Sequence, residues 1–171
     1  MWMYERHHHD VYQFLLYFTG NQNDAEDLTQ EVFVRVIHSL DRFEARSDVK
    51  TWLFAIAKNA AMNHYRKRKW QQILSGNWIS FMMTATEGNP EKEAESKEVE
   101  QELIAAIQTL PPRYRMVVIL RGIKEYSVRE TAESLGCSEA NVKTTMHRAL
   151  KLLHTKLSKT VRGELYSGLA K

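Results

Sequence analysis

Residues 127–157 read SVRETAESLGCSEANVKTTMHRALKLLHTKL and predict a short helix, a tight turn and a longer helix. Ser127 and Glu130 form an S-x-x-E pattern, which is typical of a capping box at a helix N-terminus. Gly136 suits the left-handed residue that ends a helix, and Ser138 is a good N-cap for the next one. The turn of three residues has the length found in DNA-binding helix-turn-helix motifs. The stretch therefore predicts such a motif, although a plain helical hairpin shares its apolar pattern.

The longer of these two helices has one apolar face and one polar, basic face. Its predicted inner face carries Val142, Met146, Ala149, Leu150 and Leu153. Short polar and basic side chains near the start of such a helix are the ones that reach base edges in the major groove. The candidates for binding duplex DNA on the outer face are Asn141, Lys143, Thr144, His147, Arg148 and Lys151.

Composition bounds the class of protein. A chain of 171 residues is long enough for one ordinary domain or two small ones. The single cysteine, Cys137, excludes an internal disulfide and fits a reducing compartment. The apolar runs, such as Trp52 to Ala57 and Met116 to Leu120, are too short to cross a bilayer, and the N-terminus lacks the pattern of a secretory signal. We therefore expect a cytoplasmic protein that is not inserted in a membrane.

The net charge of +3 is unevenly distributed. Residues 1–70 carry +1, residues 71–102 carry −5 and residues 103–171 carry +7. A basic surface attracts phosphate backbones, because binding releases the counterions condensed on nucleic acid. The C-terminal segment is thus a candidate for nucleic-acid binding, although a merely solvated basic face remains possible on charge alone.

The rest of the chain also predicts helices. The first ends at Gly20, and the second has Asn23 as its expected N-cap, with Glu26 three residues later as in a capping box. The apolar positions of this second helix, Leu28, Val32, Val36 and Ile37, repeat at helical spacing.

A third predicted helix, VKTWLFAIAKNAAMNHYRKRK over residues 49–69, carries a separate polar stripe of Trp52, Asn59, Asn63 and Arg66. The stripe ends in the basic run 66–69, and a polar-aromatic stripe that leads into cations suits nucleic acid. For Trp52 alone, a core tryptophan on a helix with a solvated end fits the sequence equally well.

The predicted fold is all-α, with two small helical domains joined by a flexible acidic linker. Periodicity is lost over residues 71–98, a length that is unusual for a loop inside one compact domain. The predicted organisation is an N-terminal domain over 1–70, this linker, a helix-turn-helix domain over 99–160 and a tail over 161–171.

Four stretches in order resemble the bacterial sigma factors of RNA polymerase, specifically the short extracytoplasmic-function (ECF) class. These stretches are AEDLTQEVFVRV, KTWLFAIAKNAAMNHYRK, LPPRYRMVVILR and the helix-turn-helix, within a resemblance that runs from about residue 8 to residue 158. The resemblance implies a non-enzymatic subunit that binds core polymerase, reads the minus-35 element as duplex and the minus-10 element as melted single strand, and so initiates transcription at specific promoters.

The resemblance also implies three sets of site residues. The helix of DAEDLTQE is similar to region 2.2 of the family, which implies core-polymerase contacts at Asp27, Gln30, Glu31, Val34 and Arg35. The loop FEARSD and the helix after it resemble the segment that opens the minus-10 element, which implies contacts at Arg46, Ser47, Lys50, Trp52, Asn59, Asn63, Arg66 and Lys67. The helix-turn-helix resembles region 4 of the family, which implies that the outer residues of its second helix read the minus-35 element.

Two positions depart from the pattern of the family. Relatives often have an acidic residue where Asn63 stands, which leaves the preferred base open. Many have an arginine where Thr145 stands, which predicts one fewer phosphate contact.

The implied partners are the largest and second-largest subunits of core RNA polymerase, promoter DNA and a membrane-anchored anti-sigma factor. No cofactor or catalytic residue is predicted. The run His7–His9 is not expected to hold a metal, since three adjacent histidines cannot all face one ion on a regular helix, and it is expected at the surface instead. The main alternative is a helix-turn-helix regulator that binds duplex DNA without polymerase. A helical adaptor that captures an anti-sigma factor by mimicry is a third possibility, but it would not need the side chains that face DNA.

Overall fold

The computed structural model describes residues 2–40, 48–74 and 94–157, and these residues form seven α-helices. The helices are α1 (Trp2–Thr19), α2 (Gln22–Ser39), α3 (Val49–Leu74), α4 (Ala94–Gln108), α5 (Pro112–Val118), α6 (Val128–Leu135) and α7 (Glu139–Leu153), and α5 continues into a π-helical turn (Ile119–Ile123). The prediction of an all-α fold is confirmed. None of the described helices is long and apolar enough to cross a membrane.

The first three helices pack around an aromatic centre. Phe14 and Phe18, one helical turn apart on α1, are fully or almost fully buried, as is Phe54 of α3. The rings of Phe14 and Phe54 meet edge to face with centroids 5.5 Å apart, a favourable geometry for two aromatic quadrupoles. This contact fixes α3 against α1 and leaves the opposite side of α3 at the surface.

The start of α2 differs from the prediction. The N-cap is Asn21 rather than Asn23, because the Asn21 side chain accepts a hydrogen bond from the backbone N–H of Asp24 at 3.0 Å. Gly20 ends α1 at φ +70°, and the chain enters the next helix after the single extended residue Asn21. Because α2 begins at Gln22, Asn23 lies inside its first turn and cannot be the N-cap.

The helix-turn-helix is built as predicted. The Ser127 hydroxyl accepts from the backbone N–H of Glu130 at 3.1 Å, and the Glu130 carboxylate accepts from the backbone N–H of Ser127 at 2.7 Å. Gly136 ends α6 at φ +65°, and the Ser138 hydroxyl accepts from the backbone N–H of Asn141 at 3.2 Å. The predicted inner face of α7 is buried or partly buried throughout. These caps set the corner that presents the outer face of α7.

The structure also corrects the bounds of the predicted linker and the position of one histidine. Helix α3 continues to Leu74 and α4 begins at Ala94, so both reach into the segment 71–98 that is predicted to be a linker. The remainder of that segment and the tail 161–171 lie outside the described residues. The expected surface position of the histidine run is wrong for His7, which is 8% exposed inside α1.

The helices fall into an N-terminal half, α1–α3, and a C-terminal half, α4–α7 with the π-helical turn. The two halves pack against each other. Helix α1 contacts α4 and the π-helical turn, and α3 contacts α6. The apolar side chains of both halves belong to one continuous buried cluster. The two predicted helical units are therefore in direct contact in this structure.

Candidate functional site

The outer face of α7 is exposed. All six residues predicted to bind duplex DNA are exposed: Asn141, Lys143, Thr144, His147, Arg148 and Lys151. The side-chain carbonyl of Asn141 accepts a hydrogen bond from the Thr145 hydroxyl at 3.1 Å, which orients the amide at the first turn of the helix. The structure thus presents a polar, basic face of the kind that enters a major groove.

Thr145 does not share this outer face. It is only 2% exposed, and its hydroxyl also accepts a hydrogen bond from the Arg113 guanidinium at 3.3 Å. The Thr145 side chain therefore links α7 to α5 through this hydrogen bond. Arg113 itself is exposed, and sequence reasoning did not select it because an arginine after two prolines carries no distinctive signal.

The predicted stripe on α3 lies mostly at the surface. Asn59, Asn63, Arg66 and Lys67 are exposed, and Trp52 is partly buried at the core edge of the same helix. The 26 residues of α3 include six lysines and arginines and no aspartate or glutamate. A helix with this charge suits a phosphate backbone. Arg46 and Ser47, which belong to the same predicted set, lie outside the described residues.

Several basic residues of α3 have partners within the protein. The Lys50 ammonium lies 4.6 Å from the ring centroid of Tyr126, a cation–π geometry. Arg68 donates to the Asp24 carboxylate at 2.6 Å and ties α3 to α2. Lys50 is therefore engaged by the C-terminal half in this structure, whereas Arg68 belongs to the packing of the N-terminal half.

The exposed face of α2 combines carboxylates with apolar side chains. Its predicted polymerase-binding residues are all exposed: Asp27, Gln30, Glu31, Val34 and Arg35. Arg35 forms an ion pair with Glu31 one helical turn away. Val34 is 52% exposed and Ile37 is 66% exposed, so Ile37 lies outside the core although it belongs to the apolar repeat of α2. Ile37 extends the apolar part of this face.

A buried guanidinium joins the two halves. Arg115 of α5 is 7% exposed and donates to the carbonyl oxygens of Leu110 at 2.8 Å and of Phe18, at the end of α1, at 3.1 Å. Burial lowers the pKa of Arg115 to about 10. Gln108 accepts from Arg115 at 2.8 Å and donates to the carbonyl oxygens of Tyr17 and Phe18 at 2.7 and 3.1 Å. These bonds satisfy the carbonyl groups that α1 leaves unpaired at its C-terminus.

Further polar contacts cross the same boundary. Lys124 forms an ion pair with Asp10 and donates to the Gln13 side chain at 2.9 Å. Lys58 of α3 donates to the backbone carbonyl of Leu135, the last residue of α6, at 3.1 Å. Together with the Lys50 contact, these bonds hold the helix-turn-helix motif beside α3.

Comparison with known proteins identifies the family. The Sigma-70 region 2 model matches residues 3–71, and the Sigma-70 region 4 model matches residues 100–153. The ECF RNA polymerase sigma factor SigX of Bacillus subtilis (strain 168) is 41% identical over 166 residues, covering 95% of this chain and 85% of the relative. The chain belongs to the ECF sigma factors of RNA polymerase.

Other comparisons agree with this assignment. The ECF RNA polymerase sigma factor SigM of the same organism is 35% identical over 165 residues, covering 95% of this chain and 97% of the relative. The sigma factor RpoE from Bartonella quintana, solved in complex with the anti-sigma factor NepR, has a TM-score of 0.76 at 24% identity and covers 90% of this chain and 92% of its own. That structure supports the fold.

Membership in the family settles the class of function. An ECF sigma factor directs RNA polymerase to specific promoters and initiates transcription there. Region 2 of this sigma factor contains α1, α2 and nearly all of α3, and region 4 contains most of α4 and α5–α7. The alternative of a regulator that acts without polymerase is not favoured, because it accounts for region 4 alone.

Proposed function

We propose that this sigma factor acts through three separate surfaces. The exposed face of α2 binds the largest subunit of core polymerase, the stripe on α3 holds the melted non-template strand of the minus-10 element, and the outer face of α7 reads the minus-35 element as duplex. The chemistry of RNA synthesis belongs to the polymerase. The protein acts in the cytoplasm, where its polymerase is found.

The α2 face is the observation that carries this proposal. A regulator that binds duplex DNA on its own needs a basic reading helix, but it has no use for exposed Asp27, Glu31 and Val34 on a second helix. Carboxylates flanking an apolar centre suit a basic helical partner, since the charges orient the contact and the apolar side chains exclude water. The neighbouring Ile37, 66% exposed, enlarges that apolar centre.

The α3 stripe supports the minus-10 assignment by its chemistry. Asparagine side chains can hydrogen-bond the edges of unpaired bases, and the cations Arg66 and Lys67 can follow the backbone. Trp52 is partly buried and held at the base of the stripe. A rigid helix of this composition can hold a strand only after the bases have left the duplex stack, at a cost of about a few kcal/mol per flipped base.

Reading both elements at once requires the two halves to separate. The minus-10 and minus-35 elements lie about 25 base pairs apart, which is roughly 85 Å of duplex at about 34 Å per ten base pairs. In the structure α3 and α6 touch, with Lys58 bonded to the carbonyl of Leu135. Lys50, a proposed minus-10 contact, is held over the Tyr126 ring. Opening therefore frees Lys50 for DNA.

An anti-sigma factor is the expected regulator of this protein. The related fold of RpoE was solved in complex with one, NepR. An anti-sigma factor that covers the α2 face or stabilises contact between the two halves would keep the protein from polymerase and promoter. We propose a membrane-anchored protein for this role, with its sigma-binding part in the cytoplasm.

Run-off transcription tests the proposed function. Core RNA polymerase is supplied with genomic promoter fragments, with and without the protein, and with Glu31→Lys. The matched control is Glu98→Lys, which makes the same charge reversal at an exposed position of α4. We expect defined transcripts that require the protein, fade with Glu31→Lys and persist with Glu98→Lys. DNA binding without any protein-dependent transcript would contradict the proposal.

A further inference from the structure

The last turns of α3 present a large aromatic side chain that is unusual for a surface. Trp70 is 65% exposed, and it is followed by Ile73 at 45% and Leu74 at 81% exposure. An indole of this exposure forgoes the burial that large apolar side chains normally gain on folding. A functional contact would account for it.

Trp70 lies on the same line as the proposed minus-10 residues. It follows Trp52 by 18 residues, which is five full turns of an α-helix, and both therefore point in the same direction. Asn59, Asn63 and Arg66 deviate from this line by about 20–40° at 100° per residue. Trp70 is thus the next member of the stripe, about 6 Å beyond Arg66 along the helix axis.

The charge around Trp70 identifies the class of ligand. Arg66, Lys67 and Lys69 are exposed on the preceding turn, and α3 contains no carboxylate. The charged residues beside Trp70 on α3 are all cations, and an aromatic ring flanked by cations suits nucleic acid, while Ile73 and Leu74 add apolar surface at the end of the helix. Cations hold the phosphates on either side while the ring takes the face of a base.

We propose that Trp70 is a base-stacking residue that extends the single-strand-binding stripe of α3 by one turn. The inference rests on the proposed function, since it needs a strand lying along α3. Stacking is tolerant of sequence, because every base has a π-face. Trp70 therefore contributes to holding the open promoter, while the identity of the bases is read by the hydrogen-bonding residues nearer the start of the helix.

The test compares three variants in the complete sigma–core polymerase holoenzyme. Trp70→Ala removes the ring, Trp70→Phe keeps an aromatic face, and Ile73→Ala removes an apolar side chain from the same helix end. The probe is a labelled promoter fragment, chosen from the run-off experiment, whose minus-10 element is held open by mismatches. We expect Trp70→Ala to weaken binding about 5- to 150-fold, with Trp70→Phe close to the wild type and Ile73→Ala within about twofold.

Abasic sites placed one at a time in the non-template strand locate the contact. At the stacked position the abasic fragment should bind wild type and Trp70→Ala equally, whereas at other positions the difference between the two proteins persists. This pattern is not produced by a variant that merely folds poorly or binds polymerase weakly. A direct titration with core polymerase should give equal affinities for wild type and Trp70→Ala.

Several results would overturn the inference. Binding of Trp70→Ala within twofold of the wild type refutes it, as does a loss of affinity for core polymerase alone. Equal losses from Trp70→Phe and Ile73→Ala point to a general apolar contact instead. Asn63→Ala separates the two proposals: if it weakens binding to the opened fragment and Trp70→Ala does not, only the stacking inference fails. If wild-type holoenzyme does not bind the fragment, both proposals fail.

Discussion

Two glycines with the same backbone conformation offer a sharp test of the contact between the halves. Gly20 has φ +70° and Gly136 has φ +65°. A Cβ built at Gly20 would lie 2.9 Å from both Cγ and Cδ of Gln108, whereas at Gly136 the nearest atom would be the Lys58 ammonium at 3.9 Å. Replacement by alanine therefore imposes similar backbone strain at both sites but a steric clash at only one.

The expected free energies differ because Gln108 is held in place. A left-handed alanine costs about 1–2 kcal/mol at either position. At Gly20 the Gln108 side chain must also move, which disrupts its bonds to the carbonyls of Tyr17 and Phe18 and the bond that it accepts from Arg115. Two or three such bonds at about 1 kcal/mol each add about 2–3 kcal/mol. We expect losses of about 3–5 kcal/mol for Gly20→Ala and about 1–2 kcal/mol for Gly136→Ala.

Urea unfolding followed by circular dichroism measures both variants. Repeating Gly20→Ala in a Gln108→Ala background closes a double-mutant cycle, because the clash and the three bonds are then already absent. In that background Gly20→Ala should cost only the backbone strain. Equal losses for the two glycines, or an unchanged cost of Gly20→Ala without Gln108, would refute the reasoning that this side chain links the halves.

Three further outcomes concern other polar contacts. Arg115→Met should lower the free energy of unfolding by about 2–4 kcal/mol, because it leaves buried carbonyl oxygens without donors, while Arg129→Ala on the exposed face of α6 should leave the thermal midpoint unchanged. Burial of Asp10 opposes its ionisation, but the hydrogen bond and charge of Lys124 outweigh it and lower the carboxyl pKa. The stability of this ion pair is thus present above the ordinary aspartate range and is lost as pH falls through the lowered pKa; the acid limb of a stability–pH profile should flatten in Asp10→Asn. Ser127→Ala removes the N-cap of α6 and should cost about 1 kcal/mol in urea unfolding, whereas an unchanged midpoint would contradict the capping role.

The helix-turn-helix could be predicted because its determinants are local. Ser127, Gly136 and Ser138 fix the ends of the helices by caps and by one left-handed residue, and each acts within a few residues of its own position. The inner face of α7 follows from its 3.6-residue period in the same way. The same reasoning put the exposed residues of α7 on the outer face, where the structure places them.

Periodicity was less reliable where a helix has more than one apolar face. Ile37 fits the apolar repeat of α2, but its side chain is 66% exposed. The hydrophobic pattern records that a side chain is apolar and does not say whether the core or a partner protein covers it. On α2, whose exposed face is proposed to bind polymerase, the apolar repeat alone therefore does not separate core residues from surface residues.

The contact between the halves could not be predicted, since the residues that make it look like surface residues. Arg115 follows two prolines in a stretch with other cations, and Gln108 ends a polar helix. Their burial depends on the carbonyl groups at the end of α1, about 90 residues earlier in the chain. Those carbonyls need donors, and a buried guanidinium needs several acceptors, so each makes the other's burial tolerable. If the halves separate as proposed, water can satisfy the polar groups of these bonds and of the Lys124–Asp10 ion pair.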